Sequence, residues 1–496
     1  MVPDPILRAH SVPHWPALAW AACTRSGSMH VSLYHGAYVE CGPSFAVEGV
    51  WPGSFDSLLF HRSDLFFGSG VRWENPFWFF ATACSTVDRL WHFTSEHRGH
   101  VVSNSLPTLM ALSDLRLNME YPHYRRDNER IVAGLGNTPQ PFPVMDGLLR
   151  AVYFCNLIWD GNEMQEEPKP NPPVEWRTFE DYRGYLLTNA TRMGANARSN
   201  ARTTSLGMLT TVSSGYDSPA ASVVARAAGT LEAVTIRQAR SLIPRSDDGS
   251  KVAEQLGLRC RSYTASRNSF CKERWFLAAH GWSMDLNLSV FDYPTGASIL
   301  FTGFHGDKVW SPFSVDREDA REVVRGDTSG LGFTEFRLLR GVIHVPVPFM
   351  GVRHAQRLNS VSQTDAMRPW RTGGEYDRPI PRRLVEEAGV DGSLFGQRKS
   401  ASTLDSSVFW PHTKTTEDRY IAFLRQRGIQ TPNVVLTKMI AQLEVSGFAR
   451  MRRVGAPAWF RIPVPKLPSE YLFAWANTSL AEDLKKNMEG RPSSPF

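Results

Sequence analysis

Cysteine is sparse in this chain. The 496 residues hold six, Cys23, Cys41, Cys84, Cys155, Cys260 and Cys271, with no CxxC pair and no histidine at metal-ligand spacing. That scatter excludes a disulfide framework and a zinc-finger type of site, and it predicts free thiols in a reducing compartment. Long apolar runs are missing too: the densest, residues 77–84, is far shorter than the roughly 20 residues that a membrane-spanning helix needs. The opening residues, MVPDPILRAHSVPHW, lack the charged-then-apolar order of a secretion signal. A cytoplasmic protein with no membrane partner is therefore expected. No block of Lys or Arg stands out, and 55 basic against 49 acidic side chains leave a net charge of +6. This mild excess tolerates an anionic ligand such as ATP without pointing to nucleic acid. No internal repeat is evident.

What is present fits a globular protein of two or three domains, with 42% hydrophobic and 21% charged residues. Residues 29–112 alternate short apolar and aromatic runs with Gly, Asp, Ser and Asn, which predicts a strand-rich first domain. The proline-rich, charged stretch 166–175 predicts a linker. Beyond it, Phe179, Tyr182, Leu186, Ala190 and Met193 fall on one helix face. Leu206, Met208, Leu209 and Val212 then form an apolar run of strand length, broken by the turn residues Ser213, Ser214 and Gly215. A helix follows from Asp217, with Pro219 in its first turn and Gly229 as its stop. A second strand is predicted at 231–236, with Asp247 and Asp248 capping a short helix that ends at Gly257. Strand and helix in alternation predict a parallel sheet with its ligand at the carboxyl ends of the strands. A helix opening straight after a strand aims unpaired N–H groups at one spot, and phosphate suits such a spot.

Residues 213–218, SSGYDS, resemble the SGGxDS pyrophosphate loop of the ATP pyrophosphatases, with Ser214 replacing one glycine. Asparagine synthetase, β-lactam synthetase and the lasso-peptide cyclases carry that loop. Residues 298–310, SILFTGFHGDKVW, resemble the GEGxDE turn of asparagine synthetase and keep Gly303, Gly306 and Asp307. The stretch HFTSEHRGHVVSNSLPTLMAL is similar to the end of that family's glutamine amidotransferase domain, and residues 376–403 are similar to its lysine-bearing C-terminal segment. The likeness covers residues 176–403 best, the first 160 weakly and the last 90 hardly at all.

The resemblance implies an α/β protein: an Ntn-hydrolase-like, degenerate glutamine amidotransferase-like domain over residues 1–165, and an adenine-nucleotide α-hydrolase-like synthetase domain over 176–496, its parallel sheet flanked by helices. ATP and Mg²⁺ are the implied cofactors. Ser213, Ser214, Gly215, Asp217, Ser218, Ile236, Thr302 and Gly303 are the implied nucleotide residues, Asp217 and Asp307 the metal ligands, and Lys399 the lysine that holds the departing phosphates. Glu335 stands about where β-lactam synthetase has its dyad glutamate.

Departures from the family pattern narrow the expected chemistry. The family's glutaminase needs a cysteine directly after Met1, and Val2 stands there, so a glutaminase fold without its activity is expected. Phe304 cannot transfer a proton where β-lactam synthetase has a tyrosine, and Lys308 replaces an acid. His305 is then the alternative base on chemical grounds. The expected reaction is adenylation of a small-molecule or peptide carboxylate, followed by attack of an amine that is free, intramolecular or carried by a precursor peptide or partner protein. Two other readings compete: an ATP pyrophosphatase modifying tRNA or a sulfur carrier, and a nucleotide-binding protein without catalysis. Thiolases of the first kind usually have paired cysteines, which this chain lacks.

Overall fold

The computed structural model describes residues 5–97, 99–137, 141–238, 247–264, 270, 272–312, 323, 325, 327–374, 376–397, 409–429 and 468–486. The first half is built from twelve strands: β1 (Ile6–Ser11), β2 (Trp20–Thr24), β3 (His30–His35), β4 (Glu40–Gly42), β5 (Phe45–Val50), β6 (Phe67–Glu74), β7 (Phe77–Ala81), β8 (Leu90–Ser95), β9 (Gly99–Ser103), β10 (Leu148–Val152), β11 (Cys155–Trp159) and β12 (Met164–Pro168). They form two six-stranded sheets, ordered β1-β3-β2-β9-β8-β10 and β12-β11-β7-β6-β5-β4. Every pairing is antiparallel except β1 with β3.

The period-two alternation of a strand decides which core each side chain enters. Trp20 and Ala22 point between the two sheets, against Ala46, Val71, Trp78 and Phe80, while Ala21 and Cys23 point to the opposite face. Strands thus begin well before residue 29. β2 escaped the sequence pattern because both of its faces are buried, which erases the polar-apolar alternation. β1 escaped because it is a largely exposed edge that turns only Leu7 toward the core. β12 takes the first three residues of the expected linker, and residues 169–177 hold no helix or strand.

Between and beyond these strands lie α1 (Leu106–Ser113), α2 (Tyr124–Glu129) and α3 (Phe179–Ala197). Thr178 and Asp181 close a capping box at the start of α3, and Phe179, Tyr182, Leu186, Ala190 and Met193 are all buried, as their spacing predicts. The second half continues as β13 (Leu206–Thr211), α4 (Asp217–Ala227), β14 (Glu232–Gln238), α5 (Ser250–Gln255), β15 (Arg259–Thr264), α6 (Glu273–His280), β16 (Ala297–Thr302), α7 (Gly306–Val309), α8 (Thr334–Arg340), β17 (Val342–Pro346), α9 (Ala355–Gln363), α10 (Pro379–Glu387), α11 (Lys414–Gln426) and α12 (Leu472–Lys486).

Strands β13 to β17 make an all-parallel sheet in the order β15-β14-β13-β16-β17. Helices cover both faces. Ala233, Ile299, Phe301 and Val345 pack with α3 and α4, and Leu209, Val234, Leu300 and Val342 pack with α6 and α8. The protein is therefore α/β with three sheets, one of them parallel and flanked by helices. Among the described residues no helix is long and apolar enough to cross a membrane.

The two halves share their cores: α1 packs on α12, α12 packs on α6, and both large clusters draw residues from each half. Ions join them as well. Arg337 of α8 is buried, with Nε 2.6 Å from Asp88 Oδ1 and Nη1 3.0 Å from Glu48 Oε2.

Candidate functional site

A parallel sheet whose order reverses between two strands leaves a crevice at their carboxyl ends, because the connections on either side depart in opposite directions. Here that point falls between β13 and β16. Their register sets Thr210 opposite Phe301, so both strands end level. The turn after β13 holds residues 212–216, and the turn after β16 holds 303–305. The two stretches singled out in the sequence thus meet.

They meet closely. A Cβ on Gly303 would lie 2.4 Å from the Asp217 carbonyl carbon and 2.6 Å from Ser218 N, and one on Gly306 would lie 2.4 Å from Asp217 Cγ. Glycine is required at both positions for lack of room, not for backbone conformation. His305, between them, takes the left-handed conformation with φ 75°, which is uncommon outside glycine and tends to gather at functional sites.

The two turns open onto a cleft of about 220 Å³. Ser213, Gly215, Asp217, Ser218, Ile236, Gly303, His305 and Asp307 all line it, together with Phe304. Three expected residues do not. Ser214 turns its hydroxyl away to Asp247 Oδ1, 2.9 Å distant. Thr302 is buried, its hydroxyl 2.7 Å from His344 Nε2. Glu335 lies in α8 at the junction of the two halves, where it accepts from Ser105 Oγ at 2.7 Å and Leu106 N at 3.0 Å. It is a buried cap on α1, bonded neither to Arg337 nor to Arg340. Lys399 lies outside the described residues. The chain leading to it is tied to the loop, since Gly396 N–H donates to the Ser214 carbonyl at 2.8 Å.

The loop itself is ordered by oxygens. Ser213 Oγ lies 2.7 Å from Ser218 Oγ and accepts from Gly215 N at 3.2 Å. Ser214 N donates to Asp247 at 3.2 Å, and Tyr216 N–H faces the Tyr376 hydroxyl. Three successive backbone donors thus end on three separate oxygens, those of Asp247, Ser213 and Tyr376.

Four further lining residues carry no sequence signal for this site: Asp247, Asp285, Asp327 and Tyr376. Asp247 and Asp248 look alike as caps in the sequence, but the N-cap of α5 is Gly249; Asp248, one residue earlier, accepts from Ser250 N at 3.0 Å, and Asp247 turns to Ser214. Asp285 is buried and receives Gly330 N at 3.0 Å and Gly332 N at 2.9 Å, and burial pushes its carboxyl up to about 6. Burial also raises Asp247. His305 stacks on Phe349 at 4.9 Å, and Phe304 stands edge-on to His344 at 5.5 Å.

Five aspartates, 217, 247, 285, 307 and 327, line the cleft. A polyphosphate could enter such a site only with a cation. The donors fit Mg²⁺, which takes one or two carboxylates and completes its shell from substrate phosphates and water. The Asp217 carboxylate lies against Gly306, one residue from Asp307, so the two sit at neighbouring positions. Among the described residues no three His, Cys, Asp or Glu side chains gather into a self-sufficient metal site. Lys308 Nζ stands 3.8 Å from Asp307 Oδ2. No family model matches the chain, and no curated protein sequence matches it.

Proposed function

We propose that the protein is an ATP- and Mg²⁺-dependent amide-forming ligase related to asparagine synthetase, with an Ntn-hydrolase-like first half that lacks glutaminase activity. A substrate carboxylate attacks the α-phosphate of ATP, giving an acyl-adenylate and pyrophosphate. An amine then attacks the acyl carbon, an amide forms, and AMP leaves. The observation that carries this reading is the approach of Gly303 and Gly306 to Asp217 and Ser218, because it brings two partial motifs into one cleft at the switch point of a parallel sheet.

On this reading the backbone donors of residues 214–216 take the leaving phosphates, and Ile236 borders the base. Asp217 and Asp307 would hold Mg²⁺, which neutralises phosphate charge when bound. Gly396 begins the stretch that carries Lys399, which assists departure of pyrophosphate in this scheme. His305 is a candidate base on the cleft wall, whereas the position of Glu335 favours a structural role.

The test is ATP–pyrophosphate exchange, screened over candidate carboxylic acids. An acid-dependent exchange that Asp217→Ala abolishes is the expected result, and normal exchange by that variant overturns the assignment. A second reading, a nucleotide-binding protein without turnover, draws support from the Lys308–Asp307 pair, which partly neutralises a metal ligand. Metal-independent ATP binding in calorimetry would favour it.

A further inference from the structure

The pyrophosphate loop is already occupied. The turn at residues 247–249, just before α5, presses on it so tightly that a Cβ on Gly249 would lie 2.6 Å from Ser213 N. That turn holds Asp247, which is 6% exposed. Its Oδ1 takes both the backbone N–H and the hydroxyl of Ser214, at 3.2 and 2.9 Å. Gly249 N donates to Thr235 Oγ1 at 3.0 Å, anchoring the turn to β14. A carboxylate is an anion with two acceptor oxygens, and here it sits where a phosphate would receive the same donors. Ser214 is the residue that departs from the SGGxDS pattern, and its hydroxyl supplies the shorter of the two bonds.

We propose that Asp247, held by Ser214, is an internal counter-anion that sets the affinity of the loop for pyrophosphate: the incoming phosphate must displace the Asp247 carboxylate from Ser214. This rests on the ligase reading of the cleft. A carboxylate left beside bound phosphate is a like-charge contact, which disfavours binding strongly. The side chain therefore turns out of the loop as pyrophosphate or the polyphosphate of ATP arrives. Asn at 247 keeps the shape and one acceptor oxygen but removes the charge. A merely structural brace would lose strength on that change, and binding would fall or stay level. A counter-anion predicts the opposite sign.

The experiment is calorimetric titration of inorganic pyrophosphate, with Mg²⁺ present, into the full chain and its Asp247→Asn and Ser214→Gly variants. The wild type is expected to bind, and both variants to bind more tightly, on the order of tenfold for Asp247→Asn. Ser214→Gly serves where Asp247→Asn fails to fold, because it removes the hydroxyl and leaves the turn intact. Wild-type binding with equal or weaker binding by the variants overturns the inference and leaves the ligase reading standing. No pyrophosphate binding by any of the proteins overturns both.

Discussion

The Ser105 hydroxyl donates to the Glu335 carboxylate across 2.7 Å, joining the cap of α1 in the first half to α8 in the second. Both residues are buried, Glu335 at 1% exposure. Desolvation pushes its carboxyl up to about 7 from the ordinary 4.5, against the opposing pull of the hydrogen bonds from Ser105 and Leu106. A folded-state value above the unfolded one means that the proton stabilises the fold. That contribution is complete below pH 4.5 and is lost as pH climbs through about 7.

Glu335→Gln keeps an acceptor for Ser105 and cannot ionise. The variant is expected to be more stable than wild type at pH 8, by on the order of 3 kcal/mol, and to lose that advantage near pH 4.5. Urea unfolding at the two pH values measures it. A constant difference between the proteins would refute the assignment, and a loss of pyrophosphate exchange without loss of stability would return Glu335 to a role in the reaction.

A second prediction concerns Arg337, which is fully enclosed between Asp88 and Glu48. Removing one partner of a buried ionic network leaves the others uncompensated, at a cost of about 3–5 kcal/mol. Arg337→Met should destabilise the whole chain by that amount. Because the hydrophobic clusters run through both halves, unfolding should remain a single cooperative transition. Two separate transitions in the wild type, only one of them moved by the variant, would show that the halves are independent.

Local structure is far more legible in the sequence than long-range pairing. The buried face of α3 is legible because five apolar residues at helical spacing can do little else, and Thr178 and Asp181 mark its start. The loop at 213–218 is legible because small residues interrupt a strand and Pro219 fixes the helix register. By contrast, Glu335 meets Ser105 across 230 positions of chain, and nothing local to either residue foretells the other. Asp247 reads as polar and turn-forming, but that its carboxylate meets Ser214 depends on how closely the turn at Gly249 packs on Ser213. Asp285 and Asp327 reach the cleft through topology alone, as single acids without periodicity.

The capping box gives a third, local prediction. Thr178 Oγ1 accepts from Asp181 N at 3.2 Å, and Asp181 Oδ2 accepts from Thr178 N at 2.9 Å. Thr178→Ala should cost about 1 kcal/mol, read as a lower urea midpoint with an unchanged slope. Pyrophosphate binding should not move, since α3 adds no residue to the cleft.

The two glycines of the second turn make the sharpest contrast. Neither has a positive φ, so alanine is permitted at both by conformation, and only space distinguishes them. At Gly303 the new methyl meets backbone, the Asp217 carbonyl carbon at 2.4 Å and its oxygen at 2.5 Å, and neither can move without separating the turns that follow β13 and β16. Gly303→Ala should therefore lose about 1–3 kcal/mol of stability. At Gly306 the methyl meets the Asp217 side chain, Cγ at 2.4 Å and Cβ at 2.7 Å, and rotation of the carboxyl group moves the first but not the second. Gly306→Ala should therefore also lose about 1–3 kcal/mol of stability, and in addition displace the carboxylate assigned to Mg²⁺. Its affinity for ATP should fall at least tenfold with Mg²⁺ present and change little without it, because only the metal-dependent part of binding runs through Asp217. Calorimetry with and without the metal decides the matter. A Gly306→Ala protein that binds Mg²⁺ and ATP as the wild type does would remove Asp217 from the metal site.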